Sequence, residues 1–324
     1  MMRKQIGSKP VVLLQLLKEE SDEEHPLSSP ALLSGMSLRG FSMTRHTLYE
    51  TIQSLQESGI PIQYVNHRFI QGYYLEHELT PAEALILAEA VQESASLPVS
   101  SGNALLAKIL SHLSEPQRKS LLLNPPAAGK TENEHVLDSM EVILAAIRRK
   151  HYLDFRYYDY TVTGRKKYRR NSQVYHAVPY AVVTDSGRFY CVLHSDSHAS
   201  FGAYRIDKMD MVAMSEEAAE TRPFSLNDWM RSSFHMYAGS PETITCDFDL
   251  SIANQVFDQF GQDILISAVQ ENSFTASIHA SVTPTLISWL LQFYDRIRVR
   301  RPESLVRQLR QMADYLLRTY PEQK

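Results

Sequence analysis

Between Ala145 and Tyr175 stand nine basic residues: Arg148, Arg149, Lys150, Arg156, Arg165, Lys166, Lys167, Arg169 and Arg170. Only Asp154 and Asp159 oppose them, and Tyr152, Tyr157, Tyr158, Tyr160, Tyr168 and Tyr175 are interleaved. Cations for phosphates and rings for bases are what a single-stranded nucleic acid or a nucleotide asks of a surface. A charge run is also what a solvated hairpin carries, so the following strands decide which residues act together. In "GRFYCVLH", alternation puts Phe189, Cys191 and Leu193 on one face and Tyr190, Val192 and His194 on the other. In "AYRIDKM" it puts Arg205, Asp207 and Met209 on one face and Tyr204, Ile206 and Lys208 on the other. The expected ligand-binding group is Tyr190, His194 and Arg205, with Tyr157, Arg165 and Lys208 as outer candidates. The competing reading has Tyr190 capping a core and Arg205 paired with an aspartate.

Other chemistries are poorly provided for. "HSDSH" spaces His194, Asp196 and His198 for one strand face, and those types suit a metal. Its serines read as a turn, and no HExxH or CxxC companion exists. Neither metal nor cofactor is expected. GxxxxGK[ST], GxGxxG and GxSxG are absent, so nucleotide hydrolysis, dinucleotide binding and serine hydrolysis lack their parts. Cys191 lies in an apolar run and reads as core. No enzyme is expected. "DRIRVRR" puts Arg296, Arg298 and Arg300 on one strand face: an edge defended by charge, a dimer edge or an effector gate.

A second group lies in "TRHTLYETIQSLQESGIPI", residues 44–62, which reads as a recognition helix leading into a wing. Thr44, Arg45, His46, Thr47 and Tyr49 occupy its first turns, where such a helix meets a DNA groove. Ser42, Thr44 and Thr47 can donate to phosphates, and the helix N-terminus adds backbone donors. His67 and Arg68 stand at the expected wing tip. Residues 1–80 hold seven Lys/Arg against nine Asp/Glu, a net of −2, and phosphate neutralisation dominates DNA affinity. A pair of copies on a symmetric operator would make modest affinity sufficient, hence an expected homodimer. The alternative is a protein-docking module with Arg45 and Glu50 in surface charge pairs.

Certain elements must hold these residues. Ser42 or Thr44 caps the reading helix, Leu48, Ile52 and Leu55 line its buried face, and Gly59 ends it. A short helix around Ala31–Leu33 precedes it, and two strands follow around a tight "NH" turn at Asn66–His67. "ELTPAEALILAEAVQES" starts a helix with Thr80, Pro81 and Glu83 forming a capping box. Helices are expected near 103–113 and 115–123, and "NPPAAGKTENEH" reads as a linker. After the helix in "HVLDSMEVILAAIRRK", five short Tyr/Phe/Val-rich runs suggest a strongly bent sheet or barrel. From "TITCDFDL" onward the order is β-α-β-β-α-β, the ferredoxin-like pattern, plus a last helix.

At 324 residues two or three domains are expected. The net charge of −4 gives the whole chain no bias toward nucleic acid. Two separated cysteines point to a reducing compartment. No run approaches a membrane span, and "MMRKQIGSKPVVLLQLLKEE" reads as a helix after Pro10, not a signal peptide. A cytoplasmic protein is expected.

Over nearly its full length the sequence resembles the bacterial WYL-domain transcriptional regulators. "TRHTLYETI", "SGIPIQY" and "QGYYL" match the family's reading helix, turn and wing. "LDFRY", "AVPYAVV", "FYC" at Phe189–Cys191, "YRIDKM" and "SWLLQFYDRIRVRRPESL" follow in the family's order. The naming Trp-Tyr-Leu triplet has lost its Trp and Leu, Lys208 stands for a second arginine, and Glu50 for the usual arginine of the reading helix. The resemblance implies an α+β multidomain chain. Its expected parts are a winged helix-turn-helix at 1–79, a helical connector at 80–135, an Sm-like β-barrel (WYL) at 136–220, a bridging segment at 221–240 and a ferredoxin-like WCX domain at 241–324. It implies an effector-responsive, DNA-binding regulator. Its partners would be a double-stranded operator and a single-stranded DNA, RNA or nucleotide effector at the barrel. The alternative is a non-catalytic accessory protein whose barrel binds single-stranded DNA or RNA while the winged helix docks a protein.

Overall fold

A computed structural model describes residues 8–67, 69–195, 200–232, 241–262 and 264–320. The chain divides into two units, Met1–Glu134 and His135–Lys324.

In the first unit, α1 (Lys9–Glu20), α2 (Ser29–Leu38) and α3 (Arg45–Glu57) bury Leu13, Leu16, Leu17, Leu32, Met36, Leu48 and Ile52 in one core. The second helix is longer than its apolar run suggested. Ser28 caps it by accepting from the Ala31 amide at 3.4 Å, and Pro30 fits its first turn. Gly35 keeps it going, because a Cβ there would sit 2.8 Å from the Leu16 side chain. Thr44 is the N-cap of α3 and Gly59 follows its end at φ 85°.

Strands β1 (Ile62–His67) and β2 (Ile70–Leu75) form an antiparallel wing. Asn66 lies opposite Gln71 and His67 opposite Ile70, so both belong to β1 and not to the turn expected at Asn66–His67. The register is set at the far end, where buried Ile62 pairs with buried Leu75. Leu27 adds a bridge to Tyr73, which Gly72 permits: a Cβ at 72 would lie 2.5 Å from the Leu27 carbonyl oxygen.

Helix α4 (Pro81–Glu93) starts with the Thr80/Glu83 capping box. Helices α5 (Val99–Leu110) and α6 (Glu115–Ser120) follow. The expected linker runs back along this module: Ala127 donates to the Gln92 carbonyl at 3.0 Å and Thr131 to that of Ala95 at 3.0 Å. The Lys130 ammonium joins the carbonyls of Val91 and Ser94 at 3.2 and 2.9 Å. Carbonyls at the end of α4 thus find partners in a segment whose composition reads as loop. The acidic α1–α2 turn is also tied down. Buried Asp22 accepts from His25 Nδ1 at 2.8 Å and from the Ser114 hydroxyl at the cap of α6.

The second unit opens with α7 (Val136–Arg149), which buries Val136, Ile143 and Ala146 against β3 (His151–Tyr160), β4 (Lys166–Tyr168), β5 (Tyr175–Asp185), β6 (Arg188–His194), β7 (Gly202–Arg205) and β8 (Met209–Ala218). The strands are antiparallel in the order β4-β3-β5-β6-β7, with β8 on β3. Alternation holds on β6, where Cys191 and Leu193 enter the α7 core while Val192 and Tyr190 pack on the other side. It fails on β3, where the neighbours Tyr157 and Tyr158 are both buried. There the partner of β3 changes from β5 to β4 and the strand bends. The Tyr157 hydroxyl accepts from the Arg205 amide at 3.2 Å, and that of Tyr158 donates to the Asp207 carbonyl at 2.9 Å. These bonds tie the end of β3 to the end of β7 and curl the sheet on itself. Alternation along "AYRIDKM" also stops at Arg205, because Ile206–Lys208 is a 3-10 turn that buries both Ile206 and Asp207.

Helix α8 (Leu226–Ser232) places Trp229 on Val183 and Val192. The terminal part is β9 (Pro241–Asp249), α9 (Ala253–Phe260), β10 (Leu265–Val269), β11 (Ser273–Ser281), α10 (Pro284–Leu291), β12 (Ile297–Arg301) and α11 (Glu303–Thr319). Its antiparallel sheet runs β10-β11-β9-β12 over a core of Ile244, Phe248, Val256, Phe274, Ile278, Leu286, Leu290 and Leu305. The architecture is α+β and multidomain, as the element order implied. Among the described residues no helix is long and apolar enough to cross a membrane.

Candidate functional site

The cationic chemistry gathers where β3, β7 and the 3-10 turn meet. Asp207, 2% exposed, accepts from Arg205 Nε and Nη2 at 3.0 and 2.6 Å and from Arg188 Nη1 at 3.3 Å. Asp159 accepts from Arg169 Nε and Nη2 at 2.6 and 3.0 Å and from Lys208 Nζ at 3.3 Å. Each carboxylate accepts from two cations. The hydrogen bond from Arg169 above all, helped by Lys208 and opposed by burial, holds the Asp159 pKa below the usual aspartate value. Tyr190 stands opposite Arg205 across β6 and β7. Burial raises its pKa, and its hydroxyl has no protein partner among the described residues.

The expected ligand residues separate. Tyr190 and Arg205 are brought together, and the aspartate foreseen as Arg205's alternative partner is Asp207. Arg205 is therefore half of a bidentate ion pair, not a free cation. Tyr157 leaves the ligand set: its ring is in the core and its hydroxyl holds the Arg205 amide. Burial pushes that hydroxyl's pKa up to about 12. His194 leaves it too, at 2% exposed beneath Phe201 with ring centroids 5.5 Å apart, its Nε2 buried without a partner. It shares Tyr190's face, but Phe201, Phe224 and Trp229 cover that face. Lys208 is bound to Asp159. The Arg165 side chain is exposed in the β3–β4 connection, where its amide donates to Thr161 Oγ1 at 3.1 Å. Arg188 was missed, although alternation from Tyr190 puts it on the same face.

The basic hairpin lies over rings. Lys166 Nζ sits 4.4 Å from the Tyr158 centroid, Arg169 5.0 Å from Tyr157 and Arg170 4.4 Å from Tyr175. The tyrosines foreseen as base platforms are largely occupied in this way. Cys191 is fully buried, and burial pushes its thiol up to about 12, which suits packing and not nucleophilic attack. Asp196, His198 and the wing-tip Arg68 lie outside the described residues. Among those described, no three metal-ligating side chains cluster.

In the first unit Thr44 Oγ1 accepts from the Thr47 amide at 3.2 Å and meets Thr47 Oγ1 at 2.9 Å. That cap leaves Ser42, Arg45, His46 and Tyr49 exposed at the start of α3. Of the surface charge pairs expected of Arg45 and Glu50, Glu50 makes one, meeting His46 Nδ1 at 3.2 Å, while Arg45 makes none among the described residues. Tyr49 Oη lies 3.2 Å from Ser29 Oγ, and His67 is exposed at the end of β1. Arg39 bridges Glu19 and Glu20 at 2.9 and 2.8 Å, so that cation is committed to the protein's own acids.

Two family models match this chain: the WYL domain over residues 138–214 and the WCX domain over residues 240–317. Among curated proteins none matches. Among solved structures, Proteasome accessory factor B/C (PafBC) of Arthrobacter aurescens is 16% identical with a TM-score of 0.31, the match covering 97% of this chain and 49% of that one. This chain thus spans about half that protein's length. A CRISPR Cas-related protein is 12% identical with a TM-score of 0.35, over 91% of this chain and 78% of that one. The bent sheet with its α7 cover, and the four-stranded sheet with its helices, are the parts these models describe: the chain is a WYL- and WCX-domain protein.

Proposed function

We propose that this protein is an effector-responsive, DNA-binding transcriptional regulator whose WYL domain senses an anionic, nucleotide- or nucleic-acid-like ligand. The observation that carries this reading is the pair of half-buried guanidiniums, Arg188 and Arg205, held on one buried carboxylate beside Tyr190. Asp207 fixes the forks in place, oriented guanidiniums match the oxygens of an anion, and the tyrosine offers a hydroxyl and a ring edge. On the first unit, Arg45 is exposed and forms no ion pair among the described residues, which leaves its guanidinium available for a groove contact. In this reading two copies act as a homodimer in the cytoplasm. The ligand changes operator affinity by preferring one arrangement of the winged helices.

A mobility-shift titration with duplex from the protein's own upstream region tests this. Sequence-selective, salt-sensitive binding is expected, lost in Arg45→Ala and altered by an added oligonucleotide in the wild type but not in Tyr190→Ala. Binding to single strands alone, indifferent to Arg45, would instead favour an accessory protein with a docking winged helix.

A further inference from the structure

The WCX domain carries a cationic edge that the WYL reading does not use. From Tyr294 to Arg310 there are six arginines against Asp295 and Glu303. Strand β12 is an edge of its sheet, paired only with β9. Ile297 and Val299 pack toward the core while Arg298 and Arg300 are exposed on the outer face, with exposed Arg296 just before them. Arg300 Nε is pinned to Asp247 at 2.6 Å; Arg298 lies opposite that same Asp247 and Arg296 acts on Asp249, but neither arginine forms an ion pair among the described residues. Next to them Tyr294 is 89% exposed and holds a left-handed backbone at φ 53°. That conformation is costly for a residue other than glycine and collects at functional places.

We infer that Tyr294, Arg296 and Arg298 form a binding site for single-stranded nucleic acid on the WCX domain, separate from the cationic end of the WYL sheet. Arg298 on β12 and Arg296 in the 3-10 turn before it are exposed cations two residues apart, and such charge suits a phosphate backbone. An exposed ring beside them can stack on a base only when that base is unpaired, which selects a single strand over a duplex. Charge on an edge strand also prevents edge-to-edge pairing, but that duty requires no solvent-exposed tyrosine in a strained backbone.

The test uses the full chain and 5-iodouracil-containing 15-mers of single-stranded DNA and RNA, with a duplex as third arm. Binding is followed by anisotropy and crosslinks are mapped by mass spectrometry. A crosslink at Tyr294 is expected with one or both single strands and not with the duplex; the two single-strand arms tell a DNA source from an RNA source. Tyr294→Ala should weaken single-strand binding about fivefold or more, and Tyr294→Phe should restore it. Arg296→Ala with Arg298→Ala should lower the slope of log affinity against log salt by about 1.4. Wild-type affinity in these exposed-site variants, with crosslinks confined to residues 156–208, would overturn the inference and leave the WYL reading standing. Crosslinks at Tyr294 with no effect of Tyr190→Ala would do the reverse.

Discussion

Asp207 shows how one residue decides what its neighbours can do. Its buried carboxylate turns two arginines into an oriented pair, so Asp207→Asn should leave two guanidiniums facing each other. The urea midpoint should fall by the equivalent of about 3 kcal/mol with an unchanged slope; an unaltered midpoint would show that Asp207 does not hold the pair. Tyr157 offers a pH test. Burial raises its folded pKa to about 12 from an ordinary value of 10.0, so its share of stability is complete below pH 10 and is lost as pH rises toward 12. Tyr157→Phe should cost about 1 kcal/mol at neutral pH through the lost Arg205 amide bond. Over the alkaline window it should then decline less steeply than the wild type, measured by denaturation at stepped pH. The pairing of Arg205 was readable as an alternative because an aspartate stood two residues away. The burial of Tyr157 was readable too, since it keeps the phase of Leu153 and Phe155; that of Tyr158 was not, because it breaks the alternation where the partner of β3 changes from β5 to β4.

At the level of elements, caps and apolar spacing were the most legible signals: Thr44, Thr80 and Leu48–Ile52 act as their positions imply. Asn66 and His67 fall in β1 because strand register is fixed by a buried pair at the opposite end, a contact between residues thirteen positions apart that local turn residues do not encode. The role of Gly72 was likewise hidden, since the obstacle is the Leu27 backbone. Gly72→Ala should break the Leu27–Tyr73 bridge and destabilise the first unit by about 2 kcal/mol, visible as loss of amide protection at Tyr73. The α1–α2 turn read as a mere helix breaker, yet Asp22 fastens it to α6. Burial alone would raise the Asp22 pKa, but the hydrogen bonds from Ser114 and His25 outweigh it and leave the pKa below 3.8. That contribution is present above the ordinary value and lost as pH falls through the folded one. Asp22→Asn should therefore lower stability at neutral pH and flatten its decline below about pH 4. An acid profile parallel to that of the wild type would rule this out.

For the whole molecule, the division at Glu134 and His135 predicts that residues 135–320 fold when expressed alone. They should keep the far- and near-ultraviolet dichroism of the WYL and WCX sheets; a spectrum of unfolded chain would mean that the units depend on each other. Both tryptophans belong to this second unit. Trp229 packs on Val183 and Val192, and Trp289 stacks edge-on with Phe260 and Phe293 at 4.9 and 5.0 Å. Emission excited at the red edge of the indole band therefore watches the second unit while the first stays dark. Trp229 also shares its small apolar cluster with Tyr190, so a ligand arriving at that tyrosine should register as a colour or intensity change without any attached dye. Trp229→Phe would silence that signal and spare the Trp289 background.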